Sequence, residues 1–367
     1  MDAGFTPIPA RPAPRRTTGA VAWAHKNLFA SIPNALATLL LGAFLAWLAF
    51  HFIRWGVVYA VGKPDADLCQ AARGTGACWG VIVEKGRFIL MGRYPSAEHW
   101  RAVLAMLALL TPVIASCSPR CWKPWLVLVW IAGIALFFIL MLGGLFGLEK
   151  VPTDQWGGLP LTLMLTVLSM AMAFPIAVVV ALGRRSTMPA IRSLCIVYIE
   201  LIRGVPLISL LFMASFMFPL FLPVGKSPDV LVRVIVGITL FAAAYMAEII
   251  RGGLQTVGKG QTEAADSIGL GYWSAQRKIV LPQALAAVVP GIMNNFISLL
   301  KDTSLVTIVS LYELTGALSL ALGSDPNWRP FKIEAYFFIA AVYFAMCFSM
   351  SRYSLGLEKR LARSSNR

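Results

Sequence analysis

The nearest approach to a nucleotide site in this chain is Gly253-Leu-Gln-Thr-Val-Gly258-Lys259-Gly260. Its glycines and lysine match a phosphate-cradling loop, but Gly260 stands where a Ser or Thr must hold Mg²⁺, and a long apolar segment precedes it instead of a strand. That excludes nucleotide chemistry. Two acid–base blocks, "ELIRG" at Glu200–Gly204 and "EIIRG" at Glu248–Gly252, set Glu and Arg three apart, on one helix face, where each is expected to pair. A third block, "LLKDTSL" at Leu299–Leu305, puts Lys301 beside Asp302 deep in an apolar run. Charge there marks a wet path or binding site, or an ion pair to Glu200, Arg203 or another helix that holds the register. His25, His51 and His99 are scattered, and no Ser/His/Asp or metal-ligand set is assembled, so catalytic and metal residues are expected to be absent. Cys117 and Cys121 lack partner ligands for zinc. Cys69 and Cys78 have Gly74 and Gly76 between them, slack enough for a disulfide.

The elements that must position these groups follow from composition. Of 367 residues 58% are hydrophobic and 13% charged, against about a quarter charged in soluble domains, and the mean hydropathy is +0.73. The chain is therefore expected to be an all-α polytopic membrane protein. Apolar runs long enough to cross about 30 Å of hydrocarbon fall near 34–58, 102–116, 124–148, 159–182, 191–220, 230–250, 284–306 and 334–352, giving about eight transmembrane helices. The first run is too long for a signal peptide and is read as retained.

The net charge of +15 would suggest nucleic acid in a soluble protein. Here its distribution sets orientation instead. With the N-terminus inside, eighteen Lys and Arg fall in inner segments, including Arg11, Arg15, Arg16, Arg363 and Arg367, and ten in outer ones, six of them in the long loop 59–101. Both termini are thus expected to be cytoplasmic, with Cys69 and Cys78 on the oxidising side. Segments 1–32 and 354–367 read as cytoplasmic tails. Residues 33–150 read as a three-helix extension with a long periplasmic loop, and "LEKVPTDQWGGLP" marks a boundary before a five-helix core over 151–353. Within that core, Gly204-Val205-Pro206 is expected to kink one long helix.

The longest polar interval of the core is "GKGQTEAADSIGLGYWSAQRKIVLPQAL", from Gly258 to Leu285. Thr262 is expected to cap a helix over Gln261–Ile268 with Glu263 and Asp266 in its first turn. Gly269-Leu270-Gly271 breaks it, "YWSAQRKIVL" restarts one, and Pro282 ends or bends that. Glu263-Ala264-Ala265 then forms a small, acidic-edged face that another protein can approach closely. A helix lying on lipid would carry more apolar bulk and more base.

Glu263-Ala264-Ala265, three residues, Gly269, nine residues, Ile279, one residue and Leu281-Pro282 resembles, without departure, the EAA loop of ABC-importer permeases. "YIELIRGVPLISLLF", "AYMAEIIRGGLQTVGKGQ" and "ISLLKDTSLVTIVSLYEL" are similar to the polar-amino-acid branch of that family over about 155–353. The added N-terminal helices and loop resemble the larger permease subunit of general L-amino-acid importers. The resemblance implies an inner-membrane permease subunit of an ATP-driven L-amino-acid importer. Glu263, Ala264, Ala265, Gly269, Ile279, Leu281 and Pro282 would couple it to a dimer of ABC ATPase subunits. The other implied partners are a second, different permease subunit, a periplasmic amino-acid-binding protein and the lipid bilayer, with no nucleic acid. It implies no cofactor in this chain, ATP and Mg²⁺ being held by the ATPase. Glu200, Arg203, Glu248, Lys301 and Asp302 are candidates for the substrate path. The competing class is an ion-coupled secondary transporter with Glu200, Glu248 and Asp302 as a relay.

Overall fold

In hydrocarbon every backbone amide must be bonded within its own segment, so a chain this apolar folds into helices. A computed structural model describes residues 19–223 and 225–365, the last five as backbone alone. The expected N-terminal tail is therefore described only from residue 19, and Arg11, Arg15, Arg16, Arg363 and Arg367 lie outside the described side chains. The helices are α1 Ala20–Leu28, α2 Ile32–Ile53, α3 Ala66–Ala71, α4 Gly80–Met91, α5 His99–Ser116, α6 Trp125–Leu142, α7 Gly158–Arg184 and α8 Pro189–Gly204. They continue with α9 Leu207–Phe212, α10 Val230–Thr256, α11 Lys259–Ser267, α12 Tyr272–Ala275, α13 Leu281–Asp302, α14 Leu314–Gly323 and α15 Lys332–Ser365. Among the described residues seven helical segments are long and apolar enough to cross a membrane. An eighth, Pro189–Gly204 with Leu207–Phe221, is bent by 104°. The expected kink is thus a full break: Pro206 has no amide hydrogen to continue α8 and opens α9 in extended geometry.

The chain divides into two compact units after Gly80. The reason is packing. Ala102, Ala105 and Leu109 of α5 and Phe137 and Met141 of α6 are buried in one continuous core with α7, α10 and α13, so two of the three expected extension helices belong to the larger unit. In the smaller unit the helix after Ser31, whose side chain caps Asn34, ends in a π-turn at Arg54–Val58. There Trp79 Nε1 donates to the Gly56 carbonyl at 2.7 Å, Ala77 N donates to Trp55 O, and Cys69 is bonded to Cys78 with Cα atoms 5.4 Å apart.

In the larger unit α7 is the central post. Ala173, Ala177 and Ala181 repeat every four residues and are fully buried, and small residues at that spacing let helices approach closely. Across from α10, a Cβ on Gly253 would stand 2.5 Å from the Ala284 carbonyl, so α10 and α13 touch backbone to backbone there. Gly253 is therefore a packing glycine inside a helix, not part of a loop. At the other end of α7, the fully buried Glu313 caps α14 through Thr315 N and Gly316 N and receives the Tyr343 hydroxyl at 2.8 Å. One carboxylate thus fastens α14 to α15.

Candidate functional site

The polar interval after α10 folds into two short helices joined by a tight closure. Helix α11 begins at Lys259, two residues earlier than expected, with Gly258 as N-cap and no side-chain cap, so Thr262 and Glu263 lie past the first turn. Its C-terminus closes by two backbone bonds, Gly269 N to Asp266 O at 3.0 Å and Leu270 N to Ala265 O at 3.1 Å. That double closure places Gly269 in the left-handed region, φ +75°, which glycine adopts at no steric cost. Pro282 does not end the second helix. A π-turn over Gln276–Val280 carries α12 continuously into α13, and Pro282 lies in the first turn of α13, where a missing amide hydrogen costs little.

Within this pair, Ala265 is buried while Glu263 and Ala264 are exposed; Ile279 and Leu281 are half-buried. Gln283 Nε2 donates to Gln261 Oε1 at 3.1 Å, joining α11 to the root of α13. The pair is thus a small rigid body seated on the end of a crossing, with Glu263 and Ala264 exposed. Sequence reading missed its most exposed apolar members, Ile268, Tyr272 and Trp273, at 72%, 54% and 73%. Their signal was present: bulk and aromatics beside Gly269 and Gly271 in an otherwise polar stretch. They are the anchors a docked protein would bury.

Above this pair lies a charged network. Glu248 takes Arg251 Nε at 2.9 Å, the expected pairing three residues apart. Glu200 does not pair with Arg203. Instead Arg184, at the end of α7, reaches Glu200 at 3.1 Å and Glu248 at 2.9 Å and so clamps α7, α8 and α10. A planar guanidinium offers two donor edges to two carboxylates, which an intrahelical pair cannot match. Arg203, freed from Glu200, stacks over the Tyr245 ring with its guanidinium carbon 5.4 Å from the centroid.

Asp302 and Lys301 part company. Asp302 is half-buried and lines a cavity of about 230 Å³ with Tyr245, Asn295 and Ser298, whereas Lys301 is exposed. Adjacent residues on a helix point about 100° apart, so the two side chains leave α13 in different directions. Neither makes an ion pair within the chain among the described residues. Asn295 Oδ1 is buried in α13 without a hydrogen-bond partner. The Tyr245 hydroxyl lies 3.5 Å from the Arg203 carbonyl, which brings the α8–α9 break close to this cavity. Asn295 was missed as well; a polar amide pair, Asn294-Asn295, in an apolar crossing was its signal.

Comparison with known proteins follows the same lines. Residues 173–363 match the family described as "Binding-protein-dependent transport system inner membrane component". The chain is 44% identical to the "Inner membrane amino-acid ABC transporter permease protein YhdY" of Escherichia coli (strain K12), over 96% of each chain. It is 37% identical to the "Glutamate/glutamine/aspartate/asparagine transport system permease protein BztC" of Rhodobacter capsulatus, again over 96% of each. A solved structure described as "Crystal structure of an amino acid ABC transporter with histidines" is 32% identical, covering 54% of this chain and 90% of that one, with a TM-score of 0.48.

Proposed function

Because this chain belongs to the family of binding-protein-dependent transport system inner membrane components, we propose that α11 and α12 are the lever through which it is driven. The chain is a multi-pass inner-membrane permease subunit of an ABC importer of amino acids. Its family implies an ATPase partner and a substrate-binding protein. We read those partners more finely as two ATPase subunits, a second and different permease chain, and a binding protein docking from the periplasm. Both termini are placed in the cytoplasm on the distribution of Lys and Arg. ATP and Mg²⁺ are assigned to the ATPase, with no cofactor held here. The ion-coupled alternative has no support among the relatives.

One observation carries the lever reading: a rigid helix pair, fixed to α13 through a continuous π-turn, leaves Glu263 and Ala264 exposed along with Tyr272 and Trp273. Movement of a docked ATPase would be delivered to α13 and, through the Arg184 clamp, to α7, α8 and α10. That is a rigid-body switch between inward-open and outward-open states. Transport is assigned to a path past the Asp302 cavity. There the Asp302 carboxylate and Asn295 Oδ1 would face a substrate ammonium, and Glu200, Arg203, Glu248 and Lys301 would set the potential around it. The test is ATP-driven uptake by the reconstituted complex. Glu263→Lys should abolish uptake while this chain still inserts and folds; full uptake by that variant would refute the assignment.

A further inference from the structure

A second cavity, of about 280 Å³, lies between the lever and the crossing it hangs from. Its polar lining comes from three places in the chain: Arg185 after α7, Lys259 with Thr262 and Glu263 of α11, and Gln276 in the π-turn; the rest is aliphatic. Two cations stand in one cavity with one carboxylate. Lys259 and Glu263 make no ion pair with each other or with any other described residue, although opposite charges within reach usually do. Arg185 spends one nitrogen on the Leu254 carbonyl, 2.8 Å away at the end of α10, which fixes the guanidinium and leaves its other donors free. Gln276 is nine-tenths buried, and its Oε1 has no hydrogen-bond partner.

A buried acceptor left unpaired costs about 1–3 kcal/mol, so it calls for a donor. Gln276 lines the cavity, so a group bound there can supply that donor. Arg185, Lys259 and Glu263 are exposed, so the cavity offers two cations to an anionic group, and Glu263 with the unpaired Gln276 Oε1 to a cationic N–H group. An amino acid carries both on one carbon, and the cavity has room for one.

We propose that this cavity binds a free amino acid in its zwitterionic form from the cytoplasmic side, and that occupancy slows transport. The proposal rests on the lever reading, because only then does the site control anything. A ligand here would bridge α11 to the ends of α7 and α10 and to the π-turn, holding the lever in the arrangement described. It shifts the cycle because its four sets of contacts fit only that arrangement. The site is separate from the Asp302 cavity, which lies farther along α10 and α13.

The complex is reconstituted in proteoliposomes with its ATPase face outward and the binding protein loaded with L-glutamine inside, and ATP hydrolysis is followed as L-glutamine is added outside. The expected result is a dose-dependent fall in hydrolysis, with N-acetyl-L-glutamine, which lacks the ammonium, without effect. Gln276→Leu removes the orphan acceptor at similar volume, so it should fold at least as well. It should raise the half-inhibiting concentration about tenfold or more, as should Arg185→Met. Hydrolysis that runs at full rate whatever is added outside would overturn the site, as when an ATPase side chain fills it, while leaving the lever reading intact. Inhibition equal for N-acetyl-L-glutamine, or unchanged in both variants, would overturn it too. A complex in which the binding protein stimulates no hydrolysis would remove the lever reading and this proposal together.

Discussion

Arg184 and Glu248 lie 64 residues apart in sequence, and the Arg184 guanidinium meets the Glu248 carboxylate at 2.9 Å while its other edge meets Glu200 at 3.1 Å. The clamp joins three crossings a short way above the polar helix pair. Arg184→Met would leave Glu200 without its partner and Glu248 with Arg251 alone. Hydrogen bonds to charged groups contribute about 1.5–3 kcal/mol each where water is scarce, so a loss of about 2 kcal/mol is expected, discounted for the exposure of Glu200. Thermal unfolding of the detergent-purified chain measures it. Arg184→Lys should recover less than half, because one ammonium cannot present two planar edges. A fully stable Arg184→Met protein would show that the clamp is incidental.

Gly269 sits at φ +75° with nothing within 4 Å of where a Cβ would be, so only its backbone conformation demands glycine. Gly269→Ala should cost about 1–2 kcal/mol locally. It should reduce ATP-driven uptake well beyond any fall in melting temperature, since the strained turn is exposed. Gly271, at φ −68° and equally open, is the control: Gly271→Ala should transport normally. Equal uptake by both variants would contradict the role given to the closure.

Lys85 of α4 lies 2.8 Å from Asp325, between α14 and α15, and that hydrogen bond holds the Asp325 carboxyl below its ordinary range. A depressed carboxylate stabilises the fold above its unfolded pKa, and the gain is lost as pH falls through the folded value. The stability difference between wild type and Asp325→Asn should therefore be constant near neutrality and shrink below about pH 4. A difference that grew on acidification would have the wrong sign.

Asp302 and Asn295 supply the cavity that we assign to transport with a carboxylate and an unpaired amide oxygen. Asp302→Asn should weaken uptake of cationic amino acids more than of neutral ones, in competition assays with the reconstituted complex. Uniform loss with lower yield would assign Asp302 to folding alone.

The helices were legible because apolar length alone reveals a crossing, and the polar pair was legible because its residues break that pattern. What sequence could not show was partner choice. Glu200 and Arg203 have the spacing for an intrahelical pair, but Arg184, sixteen residues upstream, reaches Glu200 instead. Lys301 and Asp302 are adjacent in sequence and diverge in space. Nor could sequence show that α5 and α6, for all their Gly- and Pro-rich flanks, bury Leu109, Phe137 and Met141 in the main core. Packing across crossings is long-range, and no local pattern encodes it.

The central claim is that α11 is the point of contact with the ATPase. Its most direct test replaces the free cysteines Cys117, Cys121, Cys195 and Cys347 by alanine, introduces Ala264→Cys, and scores cross-linking to the ATPase subunit with and without ATP. The account predicts a cross-link whose yield changes with nucleotide and which Glu263→Lys removes. An Ala264→Cys complex that transports at the wild-type rate but forms no cross-link to the ATPase in any nucleotide state would contradict it.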